Sequence, residues 1–120
     1  MKYVVDMEIT ELLGKTASAI EVNSEDIIFT MTDGSKYKMY HQQDCCEDVR
    51  VEDVCGDIAD LLNTPFVQAE ESSDHGESGD FESFTWTFYK LGTNKGSVTI
   101  RWYGTSNGYY SEAVNFEKVE

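Results

Sequence analysis

The stretch MYHQQDCCEDV, residues 39–49, sets a histidine and two adjacent thiols among carboxylates and carboxamides. Three chemistries compete for it. His41, Cys45 and Cys46, with Cys55 and His75 further along, supply the soft ligands that zinc prefers. Their spacing lacks the C-x2-C or H-x3-H steps of ordinary zinc sites, which argues against a metal centre built on His41, Cys45 and Cys46. As a nucleophile, Cys45 follows His41 by four residues, but Asp44, Glu47 and Asp48 surround the thiols and disfavour a thiolate. The chain also lacks GxSxG, P-loop, HExxH and GxGxxG signatures. No catalytic residue and no cofactor is therefore assigned. The favoured reading is a connecting loop that holds its own backbone through Asx-type turns, with His41, Gln42 and Asp44 able to line a ligand pocket.

A second set of residues suits recognition. Tyr89, Arg101 and Tyr103, with Thr85, Thr87 and Thr99, are expected on the outer face of a C-terminal hairpin. Arg101 is one of two arginines, and an arginine between tyrosines can stack on a base or hold a phosphate. Such a trio is also an ordinary cross-strand arrangement that stabilises a sheet. Tyr109 and Tyr110 add aromatic surface near the same end. The ligand suited to this set, together with His41, Gln42 and Asp44, is a small nucleotide.

The third feature is charge. The net charge is −14, and between residues 44 and 82 Arg50 is the sole lysine or arginine. This balance argues against direct binding to DNA, RNA or an anionic membrane, all of which need positive charge. It suits a protein partner with a basic surface, or mimicry of a phosphate backbone. Asp53, Asp57 and Asp60, continued by Glu70 and Glu71, are the expected partner-binding row.

These residues must be positioned by a single domain of 120 residues, long enough to bury a core without staples. Residues 17–22 and 27–32 read as strands, and TDGS at 32–35 as a hairpin turn. Residues 36–41 alternate as a returning strand. Val51, Cys55, Ile58 and Leu62 then recur at helical spacing, with Asp53, Asp57 and Asp60 opposite, which predicts an amphipathic helix over residues 52–62. The segment 70–83 is acidic and glycine-containing and reads as a mobile surface loop. Beyond it, Phe84, Trp86 and Phe88 are expected on the core face, and GTNKG at 92–96 joins them to the Val98, Ile100, Trp102 strand. The expected fold class is α+β: a mostly antiparallel sheet with one helix packed on it.

Three cysteines, an odd number with two adjacent, predict reduced thiols. The start MKYVVDMEITELL breaks its apolar run with acids, and no stretch approaches the length of a membrane span, so a soluble cytoplasmic protein is expected.

MYHQQDCCEDV, followed by VEDVCGDIADLL, WTFYKL and IRWYGTSNGYYSEAVNFE, resembles a family of small uncharacterised proteins encoded by bacteriophages and prophages, over residues 13–117. The resemblance implies a phage origin and expression in the host bacterial cytoplasm. Small acidic phage proteins act by binding, which leads to the expected function: an inhibitor that engages a basic surface of a host defence or nucleic-acid enzyme. The alternatives are a sponge for a nucleotide signal and a metal-dependent enzyme using the His41, Cys45 and Cys46 loop. Assembly into a homo-oligomer stays open at this level.

Overall fold

The computed structural model describes residues 8–41, 47–78, 82–106 and 112–119. The described residues form eight strands: β1 (Ala17–Val22), β2 (Asp26–Met31), β3 (Lys36–Tyr40), β4 (Asp48–Cys55), β5 (Gln68–Ser78), β6 (Glu82–Thr93), β7 (Gly96–Ser106) and β8 (Asn115–Lys118). All pairings between them are antiparallel, in two four-stranded sheets ordered β1-β2-β3-β8 and β4-β7-β6-β5.

Both sheets bury one face in a common core. β2 and β3 alternate cleanly, with Ile27, Phe29, Met31, Tyr37 and Met39 inward. β7 does the same with Val98, Ile100 and Trp102. Strict alternation is what a half-buried strand requires, because successive side chains point to opposite faces. Trp102 crosses the interior, its indole N–H donating to Met39 Sδ at 3.2 Å. Phe116 of β8 stacks on Tyr37 at 5.5 Å and meets Phe29 edge-on at 6.1 Å. Leu12, Leu61 and Phe66 fill the remaining interior, and isolated bridges tie Leu13 to Phe66 and Ala17 to Leu62.

Three expectations are corrected. The segment 52–62 is not a helix: β4 runs to Cys55, and a four-residue 3₁₀ turn covers Ile58–Leu61. Among the described residues the only other helical element is a second such turn, Ile9–Leu12, so the fold is all-β rather than α+β. A β-bulge explains the misleading spacing. The register with β7 passes from Val51↔Trp102 directly to Asp53↔Arg101, leaving Glu52 unpaired. The inward positions become Val49, Val51 and Val54, and that irregular step imitates a helical stripe. Cys55, read as part of the stripe, is exposed. Gly56 then turns the chain at φ +119°, where a β-carbon would come within 2.7 Å of the Ser97 carbonyl oxygen.

The segment 70–83 is also largely strand. β5 pairs residue by residue with β6, from Gln68↔Gly92 to Ser78↔Glu82. Its residues from Glu70 to His75 are exposed, so both faces are polar and no alternation marks the strand in the sequence. Third, β6 faces the other way from the expectation. The two-residue turn Asn94-Lys95 closes the pair Thr93↔Gly96, which sets Thr87 opposite Trp102 and Trp86 opposite Tyr103. Opposite residues share a face, so Thr87, Tyr89 and Leu91 are buried while Phe84, Trp86 and Phe88 look outward.

Candidate functional site

The outward turn of β6 gathers an aromatic surface on the sheet face away from the core. Trp86 and Tyr103 sit with ring centroids 4.3 Å apart, and Phe84 lies 6.4 Å from Tyr103. The Arg101 guanidinium lies over the Trp86 ring, 5.2 Å from its centroid. Contacts of this kind contribute about 0.5–1.5 kcal/mol each and hold the rings in fixed orientations. Phe84 rests on β5, where a β-carbon added at Gly76 would come within 2.5 Å of its ring. All four rings, including that of Phe88, remain half-buried rather than covered.

The strand order places these residues centrally, because β7 and β6 are the inner strands. The flanking strands bring acid to the same face. On β4, Asp48 pairs with Thr105 and Asp53 with Arg101. On β5, Asp74 pairs with Trp86, and Glu70 with Lys90. Asp53 reaches Arg101 at 3.7 Å, and Asp48 engages its neighbour Arg50 at 2.5 Å. The result is an aromatic and arginine centre between two acid-bearing strands.

Residues expected in one partner-binding row are dispersed. Asp53 belongs to this face, while Asp57 caps the 3₁₀ turn Ile58–Leu61, its Oδ1 accepting from the Ala59 N–H at 3.0 Å. Asp60 lies within that turn, against Gly96. Glu70 and Glu71 are successive residues of β5 and so project to opposite faces, yet both reach a groove of about 520 Å³ along the strand's edge. The expected ligand-binding set divides likewise. Arg101 and Tyr103 are neighbours on the outer face, but Tyr89 is a core residue, 1% exposed. Gln42, Asp44, Cys45, Cys46 and Tyr109 lie outside the described residues.

His41 is buried and committed. Its Nε2 lies 3.0 Å from Glu47 Oε1, and its Nδ1 lies 2.7 Å from the Ala113 carbonyl oxygen. A carbonyl can only accept, so Nδ1 carries a hydrogen and Nε2 faces the carboxylate. Neither nitrogen is left for a metal in this arrangement, and no trio of His, Cys, Asp or Glu among the described residues is poised to hold one. Cys55 donates to Asp53 Oδ2 at 3.4 Å, and that hydrogen bond and charge push its thiol above the ordinary value, which works against a nucleophile.

Residue-type reasoning missed a second buried acid. Glu112 is 6% exposed. Burial by itself raises its carboxyl, but hydrogen bonds from Ser106, Ser83 and Thr85, and then the charge of nearby His75, outweigh burial and hold it below the ordinary range. Thr85 donates to Glu112 Oε1 at 2.8 Å and lies 2.9 Å from His75 Nδ1. Nothing in the local sequence marks it, because its partners come from strands 6 to 29 residues away.

No helix among the described residues is long and apolar enough to cross a membrane. No curated protein and no solved structure matches the chain. A family model, described as a domain of unknown function, DUF7448, matches residues 10–116. With the match spanning nearly the whole chain, the protein belongs to the DUF7448 family.

Proposed function

We propose that the protein is a non-enzymatic binding protein, and that it docks a basic protein surface against the outer face of the β4-β7-β6-β5 sheet. The observation that carries this reading is the layout of that face: Trp86, Tyr103 and Arg101 at the centre, with Asp53 and Asp74 on the flanks. Trp, Tyr and Arg are the residue types that dominate binding energy when a partner seals them from water. Exposed carboxylates around them speed encounter with a basic surface and select against acidic ones. The resemblance to phage proteins supplies the class of target: a host defence protein or nucleic-acid enzyme, met in the host bacterial cytoplasm and inhibited by occlusion of its basic surface.

A nucleotide sponge is the second reading, favoured by the Arg101 guanidinium stacked on Trp86 beside Tyr103. Phosphates would there meet Asp53, which already engages Arg101.

The readings separate in a tagged pull-down from bacterial lysate, washed at low and then high salt. A stoichiometric protein that leaves at high salt, and is lost from an Asp53→Lys/Asp74→Lys variant, supports the inhibitor. A bound nucleotide seen by native mass spectrometry, lost on Arg101→Ala, supports the sponge. A protein partner retained undiminished by the charge-reversed variant contradicts docking on this face.

A further inference from the structure

β5 is the outermost strand of its sheet, pairing with β6 alone among the described strands. Among the described residues no strand pairs along its other edge, and the 3₁₀ turn Ile9–Leu12 packs beside β5. Beside its first residues, the edge opens into the groove of about 520 Å³ noted above. Ile9, Ala69, Val114 and Phe116 make the floor, Glu8, Glu70 and Glu71 the rim, and no basic side chain lines it. Val114 and Phe116 belong to β8 and its lead-in, and β8 is likewise an edge strand, so the groove lies where edges of the two sheets meet.

A second copy of this chain is a poor occupant. β5 carries Glu70, Glu71, Asp74 and Glu77 and no lysine or arginine, so pairing it with itself would oppose acid to acid. A basic strand reverses the sign. An apolar floor under a carboxylate rim also fits a lysine or arginine side chain, which buries its methylene stem and keeps its charge at the mouth.

From these features we infer that β5 is a docking edge for an extended, lysine- or arginine-bearing segment of a partner protein. The segment adds as a further strand on β5 and seats a basic side chain in the Glu8, Glu70, Glu71 groove. This inference rests on the reading that the protein binds basic proteins and gives that partner a second point of contact.

The test uses the intact protein and a short synthetic peptide alternating valine and lysine, with two controls: a valine–glutamate peptide and a backbone N-methylated valine–lysine peptide. Calorimetry and amide hydrogen exchange are read together. Strand addition predicts binding of the valine–lysine peptide, slowed exchange within β5, and no binding of either control. Glu70→Lys/Glu71→Lys should weaken the peptide by about tenfold or more. Equal binding of the N-methylated peptide, or unchanged exchange in β5, overturns strand addition, as does an absence of binding. Each of these failures would leave the sheet-face reading standing, since that reading is judged by the lysate partner and the Asp53→Lys/Asp74→Lys variant.

Discussion

The protein holds its carboxylates in two different ways. At one corner of the interior, Glu47 and Glu112 are buried against hydrogen-bonding partners: His41 for the first, and Ser83, Ser106 and Thr85 for the second. On the outer face of the second sheet, Asp53 and Asp74 are exposed; Asp53 accepts from the Val54 N–H and the Cys55 thiol and pairs loosely with Arg101, and Asp74 stands opposite Trp86. The two regions share residue types and divide the work. A buried acid cannot lose its partner cheaply, so it fixes the fold. An exposed acid contributes almost nothing to folding and is free to meet a basic surface.

Removing one member of a buried pair should have the largest effect. His41→Ala takes the imidazole away from the buried Glu47 carboxyl, and should destabilise the fold by about 3–5 kcal/mol in a urea unfolding titration. A cost near zero would show that the corner is wet and would erase the contrast between the two regions.

Glu112→Gln should cost less, about 1–3 kcal/mol, because the surrounding hydroxyls can turn to satisfy an amide. Its pH dependence sharpens the comparison. The folded carboxyl is held below its ordinary value of 4.5, so its stabilisation is complete above that value and is lost as pH falls through the lower folded value. The stability gap between wild type and Glu112→Gln should therefore be constant near neutrality and close in acid. A gap that widens in acid would mean the opposite shift.

Charge reversal on the open face comes next. Asp53→Lys/Asp74→Lys should change unfolding free energy by less than about 1 kcal/mol, while the association rate with a basic partner falls and loses its salt dependence. The smallest expected effect is Gly76→Ala, which must displace the Phe84 ring. It should shift the ring resonances of Phe84 and Tyr103 with a stability change of about 0.5 kcal/mol.

How much of this could be read from residue order depends on the element. β2, β3 and β7 announce themselves because each buries alternate residues on one face. β4 does not, because the unpaired Glu52 breaks its period and makes Val51, Ile58 and Leu62 look helical. β5 lacks a period altogether, since both of its faces meet water from Glu70 to His75. The orientation of β6 was within reach: with two residues in the turn, Trp102 inward forces Thr87 inward and Trp86 outward. That arithmetic would have shown the aromatic face, whereas reading Phe84, Trp86 and Phe88 as core because they are apolar hides it. Arg101 and Tyr103 were legible as an outward pair from the alternation of β7 alone. Glu47 and Glu112 were not, because among 23 acidic residues nothing local distinguishes a buried carboxylate from a solvated one. For Glu112 tertiary structure supplies partners, as when Ser83 donates to it across 29 positions of sequence.

The central claim is that the outer face of the second sheet is the docking face, and the first sheet supplies its control. The outer side of β3 carries Lys38 and Tyr40 in a cation–π contact at 4.8 Å, with Asp26 opposite Tyr40 and Glu117 opposite Lys38. It offers an aromatic and a cation without the acid-flanked cluster of rings. The direct measurement is quantitative capture of a partner from bacterial lysate by wild type, Trp86→Ala/Tyr103→Ala and Lys38→Ala/Tyr40→Ala, each first shown to be folded by near-ultraviolet circular dichroism. The first double variant should lose the partner by about a hundredfold or more while the second retains it within about twofold. Equal capture by all three, or loss confined to the Lys38→Ala/Tyr40→Ala variant, would contradict it.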